Sequence, residues 1–409
     1  MRPEISPSRL MARLRDLGGI GALDGGGVCR LALTDADRTG RDWLVAQMKD
    51  LGLSVSVDAI GNIWGVRAGI DEGPPVLIGS HIDSVATGGI YDGALGVIAG
   101  LEVMSALNAA GARTARPVAV AAFTNEEGAR FAPDMMGSGV HQGALDLEDM
   151  LATRATDGDG VVGDELDRIG YRGTAEPFTP SAYLEYHIEQ GPVLERDGIR
   201  IGAVTGVQGI HWTEFTVTGQ SNHAGTTPMA LRRDAGQVAL RIALAADRIA
   251  AENGPPQVAT VGVFELSPGL VNVVPQRARL TVDLRNTDGD VLNAATGRLI
   301  AEAEELARAA GCEVSHRPLA RFAPVAFDPA IVARIEQVAH ARQLSVRRMP
   351  SGAGHDAQMF APNCPTAMIF IPSAGGLSHN IKEFSEEEDV VAGAQVLLDV
   401  LCELAGVQA

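Results

Sequence analysis

Five residues have the types and settings of metal ligands: His81, Asp92, Glu127, His187 and His379. Asp83 and Glu126 stand beside them. The densest stretch is Gly79-Ser80-His81-Ile82-Asp83-Ser84, followed by Gly89-Ile90-Tyr91-Asp92-Gly93. His81 and Asp83 are two apart, so on a strand they point to the same side. One can bind a metal while the other holds it, because a ligating imidazole usually donates its second N–H to a carboxylate. Asp92, at the mouth of the next helix, could bridge two cations. Of the adjacent Glu126 and Glu127, one can ligate while its neighbour faces a water. Two His, a bridging Asp, a Glu and a further His make a two-metal site, which holds its ions roughly 3.5–4 Å apart and activates water for hydrolysis. Nitrogen and oxygen donors without thiolate suit zinc, manganese, cobalt or nickel. Glu126 is the natural general base, carrying a proton from that water to a leaving nitrogen. Each residue alone has a plainer role as surface histidine, helix cap or first-turn acid. The pattern gains weight because all of them follow strands.

The elements that must position these residues alternate strand and helix. The apolar run Pro75-Val76-Leu77-Ile78 leads into His81, and a helix is predicted over 93–110. The run from Pro117 to Phe123 is continuously apolar, as a strand buried on both faces should be, and ends in Thr124-Asn125-Glu126-Glu127-Gly128. Ala182 to Pro192 reads as another strand into the same edge, with Glu185, His187 and Glu189 on one face. Thr366 to Ile371 is a further strand, followed by the loop carrying His379. Helices are predicted over 7–17, 35–52, 328–343 and 386–405. This alternation gives an α/β fold with a sheet covered on both sides, its ligands beyond the carboxyl ends of strands. From about His211 to Pro324 the order becomes βαββαβ, that of a ferredoxin-like sandwich. The expected domains are therefore 1–210 and 325–409 for the catalytic part and 211–324 for the insert. The loop Asp157-Gly158-Asp159-Gly160 lacks a complete EF-hand pattern and is read as solvated.

The 409 residues allow two or three domains and a sizeable core. With 33 basic and 51 acidic residues the net charge is -18, which argues against nucleic acid or an anionic membrane as partner. Cys29, Cys312, Cys364 and Cys402 have no metal-knuckle or redox spacing and are read as reduced thiols. The opening Met1-Arg2-Pro3-Glu4-Ile5-Ser6 lacks the apolar core of a signal peptide, so a cytoplasmic location is expected.

Several stretches together resemble the amidohydrolase branch of the M20 metallopeptidase-like proteins. They are the His81 and Asp92 runs, Asn125-Glu126-Glu127-Gly128, His187-Ile188-Glu189-Gln190-Gly191-Pro192 and His223-Ala224-Gly225-Thr226-Thr227-Pro228-Met229. Ser351-Gly352-Ala353-Gly354-His355-Asp356-Ala357 and Ser378-His379-Asn380 belong with them. The likeness covers nearly the whole chain, from Gly27-Val28-Cys29-Arg30-Leu31 to the last helix. That branch holds N-carbamoyl-L-amino-acid hydrolases, allantoate amidohydrolases and β-ureidopropionases. The resemblance implies one ion held by His81, Asp92 and His187, and a second held by Asp92, Glu127 and His379. It makes Asp83 the partner of His81 and Glu126 the base. Related peptidases carry an acid where His187 stands, so His187 favours cleavage of ureido groups. By the same resemblance His223 stabilises the oxyanion and usually reaches in from a partner subunit. Gln190, Asn272, Arg285 and Gly354 match the family's substrate-binding positions, with Asn272 and Arg285 on the substrate carboxylate. The family often has a cis peptide after the bridging Asp. Ser84 stands where Thr is usual, and Phe384 where Trp is frequent.

The expected fold is thus a di-metal catalytic α/β domain with a mixed sheet, plus an inserted lid and dimerisation domain. The expected activity is hydrolysis of a linear C–N amide bond, foremost N-carbamoyl-L-amino acid to L-amino acid, carbon dioxide and ammonia. The expected partners are two divalent ions per subunit, a small ureido acid and a second copy of the chain. Allantoate is the next substrate and N-carbamoyl-β-alanine the third, with Ile82 and Tyr91 leaning away from the latter by resemblance. A non-catalytic metal-dependent binding protein would need a broken site, and every ligand position is filled.

Overall fold

The computed structural model describes residues 2–156 and 158–408, so Asp157 of the loop read as solvated lies outside the described residues. The chain divides into two units. One runs through Gly206 and resumes at Ala326; the other is Val207–Val325.

The first unit is built on a mixed sheet. Its strands lie in the order Ser54–Val57, Ile63–Arg67, Val118–Phe123, Val76–His81, Ala182–Ile188, Thr366–Ile371, Ile201–Val207. The four central strands from Val118–Phe123 to Thr366–Ile371 are mutually parallel. Each is buried along its whole length, which is why each reads as a nearly unbroken apolar run. His81 pairs with Phe123 and Ile188 with Ile371, so the loops carrying the candidate ligands leave the sheet at one edge. Helix Ala94–Ala109 is apolar all round and buried except at its last residues. Its one acid, Glu102, is fully buried and held by the guanidinium groups of Arg9 (2.7 Å) and Arg13 (3.3 Å). Strands Ile201–Val207 and Val346–Ser351, which pair with each other, go beyond the sequence reading. The first is itself an apolar run, Ile201-Gly202-Ala203-Val204, hidden beside the start of the insert.

The second unit has the order βαββαβ, with strands Gly209–Thr218, Val258–Ser267, Arg277–Asn286 and Glu313–Phe322 and helices Ala235–Asn253 and Gly289–Ala309. Its antiparallel sheet runs Glu313–Phe322, Gly209–Thr218, Arg277–Asn286, Val258–Ser267, a ferredoxin-like arrangement. Along Arg277–Asn286 burial alternates residue by residue, as in a strand with one covered face. The covered face and the two helices share a core that includes Val217, Ile242, Leu280 and Leu299. Among the described residues no helix is long and apolar enough to cross a membrane, and all four cysteines are free.

Candidate metal centre

The central strands deliver their polar ends to one place. His81 closes its strand, His187 lies one residue before the end of its own, and Glu126 and Glu127 follow Phe123 by three and four residues. His379 comes from the loop after Thr366–Ile371, and Asp92 stands just ahead of helix Ala94–Ala109. Two groups of donors form, His81 with Asp92 and His187, and Asp92 with Glu127 and His379, each with its ligand atoms within 4.8 Å of one another. Asp92 belongs to both. Its Oδ1 lies 3.1 Å from His187 Nε2 and 3.9 Å from His81 Nε2, and its Oδ2 lies 3.3 Å from His379 Nε2. Glu127 Oε2 is 3.2 Å from His379 Nε2. Glu126 belongs to neither group, but its Oε2 lies 3.3 Å from His81 Nε2.

These donors fit divalent cations. His81 Nδ1 lies 3.0 Å from the Asp83 carbonyl oxygen and His187 Nδ1 lies 2.9 Å from the Ile188 carbonyl oxygen. A proton donated there makes Nε2 the ligating nitrogen, the arrangement usual for a metal-bound histidine, although His187 Nε2 here also accepts the Gly93 N–H (3.0 Å). At Gly93, which has φ +62°, any Cβ would collide with the His81 ring, so the turn after Asp92 is open only to glycine. The cis peptides among the described residues all precede proline, so the bond after Asp92 is trans here and the turn is made by Gly93 itself.

The charges show the same demand for a cation. Burial opposes ionisation of Asp92, yet hydrogen bonds from His187 and His379 carry its carboxyl well below the usual range. Burial likewise opposes protonation of His187, but Asp92 raises it to about 9. Hydrogen bonds to Asp92 and Glu127 raise His379 to about 10. Two histidines drawn toward protonation around one carboxylate make a cluster in which a metal ion and protons compete. Burial first, then the charge of Asp356, holds the Glu126 carboxyl well above its ordinary range. Burial also lifts Asp83 to about 6.

The supporting layer corrects one expectation and adds residues that the sequence reading missed. Asp83 holds His81 through its backbone carbonyl; its carboxylate, 3.9 Å from the ring, instead accepts the N–H groups of Glu126 (3.3 Å) and Glu127 (3.4 Å). Glu383 accepts the N–H groups of Tyr91 (3.2 Å) and Asp92 (3.1 Å). Buried Arg30 donates to the Ile82 carbonyl (2.6 Å), fixing the loop between His81 and Asp83. Glu185 is buried and accepts from Ser80, Tyr183 and the Ala357 N–H. The His355 ring packs edge-on against His187, with centroids 4.6 Å apart. Glu189 points away from the centre and caps the turn at Val193 and Leu194. His141 stacks on Trp64, and His316 and His340 are exposed, so none of these three joins the donors.

The expected substrate residues fall in both units. Gln190, at φ +58°, donates from Nε2 to Asp92 Oδ2 (3.0 Å), and its buried Oε1 has no partner among the described residues. Gly354 sits beside Met135, in the loop between Val346–Ser351 and the short helix Asp356–Phe360. In the second unit, His223 bridges to Val273, and the Ala224 N–H donates to the Asn272 carbonyl (2.9 Å). His223 Nδ1 accepts the N–H groups of Gly225 (3.1 Å) and Thr226 (3.3 Å), which places the ring's own proton on Nε2. Arg285 is forked onto Asp283 at 3.0 Å and 2.9 Å.

Residues 77–403 match the model of peptidase family M20/M25/M40. An N-carbamoyl-L-amino-acid amidohydrolase from Rhizobium meliloti is 42% identical over 404 residues, 98% of this chain and 97% of that one. An allantoate amidohydrolase from Escherichia coli is 35% identical, covering 95% of this chain and 96% of its own length. The crystal structure of a hydantoinase/carbamoylase family amidase from Burkholderia multivorans is 43% identical and superposes with a TM-score of 0.96 over 98% of both chains. A match that takes in every donor of the two clusters, with full-length relatives of the same fold, means that the chain belongs to the M20/M25/M40 peptidase family.

Proposed function

We propose that this protein hydrolyses the linear C–N amide bond of a ureido acid, foremost an N-carbamoyl-L-amino acid, to the L-amino acid, carbon dioxide and ammonia. The observation that carries the reading is Asp92 shared between two donor clusters, with Glu126 beside them and outside both. Relatives that span the whole chain and bear N-carbamoyl-L-amino-acid amidohydrolase names support the substrate class.

His81, Asp92 and His187 would hold one divalent ion, and Asp92, Glu127 and His379 a second. Bound there, such ions polarise a carbonyl and acidify water. Glu126 takes the proton of the attacking water and returns it to the leaving nitrogen. His223 donates its Nε2–H to the carbonyl oxygen as negative charge builds there. Gln190 Oε1 accepts an N–H of the ureido group. Arg285 and Asn272 take the substrate carboxylate, which competes with Asp283 for the guanidinium fork. The ion identity is open among zinc, manganese, cobalt and nickel, which the same donors suit.

A homodimer and a cytoplasmic setting complete the reading. In the second unit, strand Val258–Ser267 lies at the sheet edge and exposes Val258, Val261, Phe264 and Leu266, and the helix beside it exposes Leu240 and Leu244. An apolar sheet edge of this kind calls for a partner. Four unpaired cysteines suit a reducing compartment.

Allantoate hydrolysis is the second reading, favoured by the Escherichia coli relative. It uses the same residues and changes only the acid side of the substrate. The test is ammonia release from N-carbamoyl-L-methionine, allantoate and N-carbamoyl-β-alanine by metal-reconstituted protein, with EDTA-treated and Glu126→Gln controls. Fastest turnover of the carbamoyl amino acid with both controls inactive supports the first reading. Preference for allantoate transfers it to the second. No ammonia from any of the three removes the ureido assignment.

A further inference from the structure

Glu126 and Glu127 are neighbours in sequence, yet their carboxylates go to different places. Glu126 Oε2 lies by His81, while Glu127 spans from the Val85 N–H (3.3 Å) to His379 Nε2 (3.2 Å). Their backbone N–H groups, by contrast, converge on the two oxygens of one carboxylate, Asp83. Something immediately before the pair must set the chain direction that makes both possible.

That residue is Asn125. It is fully buried and has φ +54°, in the left-handed region that few non-glycine residues enter. Six non-glycine residues among those described have positive φ, and four of them (Asn125, Met135, Gln190 and His379) are in the loops around the metal centre. Such conformations persist where the surroundings over-determine them, and they gather at functional sites. The surroundings of Asn125 do so. Its amide nitrogen donates to the carbonyls of Phe131 (2.8 Å) and Pro133 (3.1 Å), tying it to the returning arm of the loop. Its own carbonyl accepts from Met136, and the Glu126 carbonyl accepts from Met135 at 2.7 Å.

The choice of side chain follows. Asparagine tolerates the left-handed backbone and supplies two N–H donors in a buried place that offers two carbonyl oxygens. Aspartate tolerates the backbone but would set a carboxylate against those oxygens. Alanine supplies neither property, and glycine supplies only the backbone. The amide oxygen of Asn125 is buried without a partner among the described residues, so the working end is its nitrogen. The rest of the loop has separate anchors. Asn62 accepts the Thr124 N–H (2.9 Å) and donates to the Gly137 carbonyl (2.9 Å), and Gly137 N–H donates to the Thr124 carbonyl (2.8 Å).

We propose that Asn125 is the positioning residue that directs Glu126 to the reacting water and Glu127 to an ion, by holding a left-handed turn with its buried amide. The proposal rests on the function proposed above, but its test separates the two.

Asn125→Gly, Asn125→Ala and Asn125→Asp are made in the full-length chain. Each is compared with wild type for steady-state ammonia release from N-carbamoyl-L-methionine and for cobalt(II) binding by calorimetry and visible spectrum. The expected loss in kcat is about 100-fold for Asn125→Ala and Asn125→Asp and about tenfold for Asn125→Gly, which keeps the turn, with KM within about twofold throughout. Cobalt affinity at one of the two sites falls about 10–100-fold in the first two variants, with a changed spectrum. A residue that merely stabilises the fold would lower Tm and leave the kcat-to-KM split and the cobalt spectrum unmoved. That result in any variant that folds overturns the proposal, as does equal kcat in all three. Asn125→Gly, with no strained backbone, provides the folded case if Asn125→Ala does not. If wild-type protein releases no ammonia, the substrate reading fails; an Asn125-dependent loss of cobalt at one site still supports the positioning role, and unchanged cobalt binding still overturns it.

Discussion

The two units treat their polar residues in opposite ways. In the first, His81, Asp92 and His187 are buried, and each is held by groups that are themselves held: Asp83, Glu383, Arg30 and the neighbouring carbonyls. In the second, His223 stands on an exposed loop fixed by short backbone contacts, and Arg285 is half-buried beside Asp283. The same division runs through the apolar residues. The first unit's central strands are covered throughout, while the second leaves Leu270, Val271, Met229 and Leu231 exposed around the His223 and Asn272 loops. The difference separates what must be ready before substrate arrives from what responds to it. Ion ligands gain from a rigid, satisfied shell. Groups that meet a substrate carboxylate or a developing oxyanion must be reachable.

Substitutions should therefore split along the same line. The largest expected effect is in the first unit: Glu126→Gln should lower kcat by about 10²–10⁴-fold with metal content and KM little changed, measured by ammonia release and elemental analysis. His223→Ala should lower kcat by about 10²–10³-fold with metal content unchanged, since under the proposed function this ring meets only the reacting oxygen. A loss of metal in that variant would erase the distinction between the units. Arg285→Lys should raise KM about tenfold for carboxylate substrates and leave kcat nearly untouched, because an ammonium cannot reproduce the two-point fork. The smallest effect belongs to a buried group remote from the chemistry. Glu102→Gln weakens its contacts with Arg9 and Arg13 and should cost about 1–3 kcal/mol in denaturant unfolding, with kcat unaltered.

Much of this division was legible in the sequence, because the ligands lie in short motifs directly after apolar runs. His81, Glu126, Glu127 and His187 each sit within four residues of a strand end, so a local reading places them. The βαββαβ order of the insert was visible for the same reason: its strands and helices are long and strongly periodic. What escaped was set by contacts between distant segments. Glu383 meets the Asp92 N–H from 291 residues away, and Arg30 meets Ile82 across 52. Residue spacing makes the Asp83 carboxylate the partner of the His81 ring, but past the strand end the backbone turns so that its carbonyl takes that place and the carboxylate faces the glutamates. Strand Ile201–Val207 was missed because its apolar run, broken by glycines, merges with the insert that follows. Backbone hand is only weakly encoded in residue type when the residue is not glycine, which is why the left-handed turns at Asn125 and Gln190 do not stand out in the sequence.

The central claim is that two adjacent glutamates do different work, one as base and one as ligand. It is tested most directly by counting ions bound per chain after reconstitution in wild type, Glu126→Gln and Glu127→Gln. The account predicts two ions in wild type and in Glu126→Gln, and one tight ion in Glu127→Gln. Equal ion counts in the two variants, or a wild-type chain that binds no more than one, would contradict it.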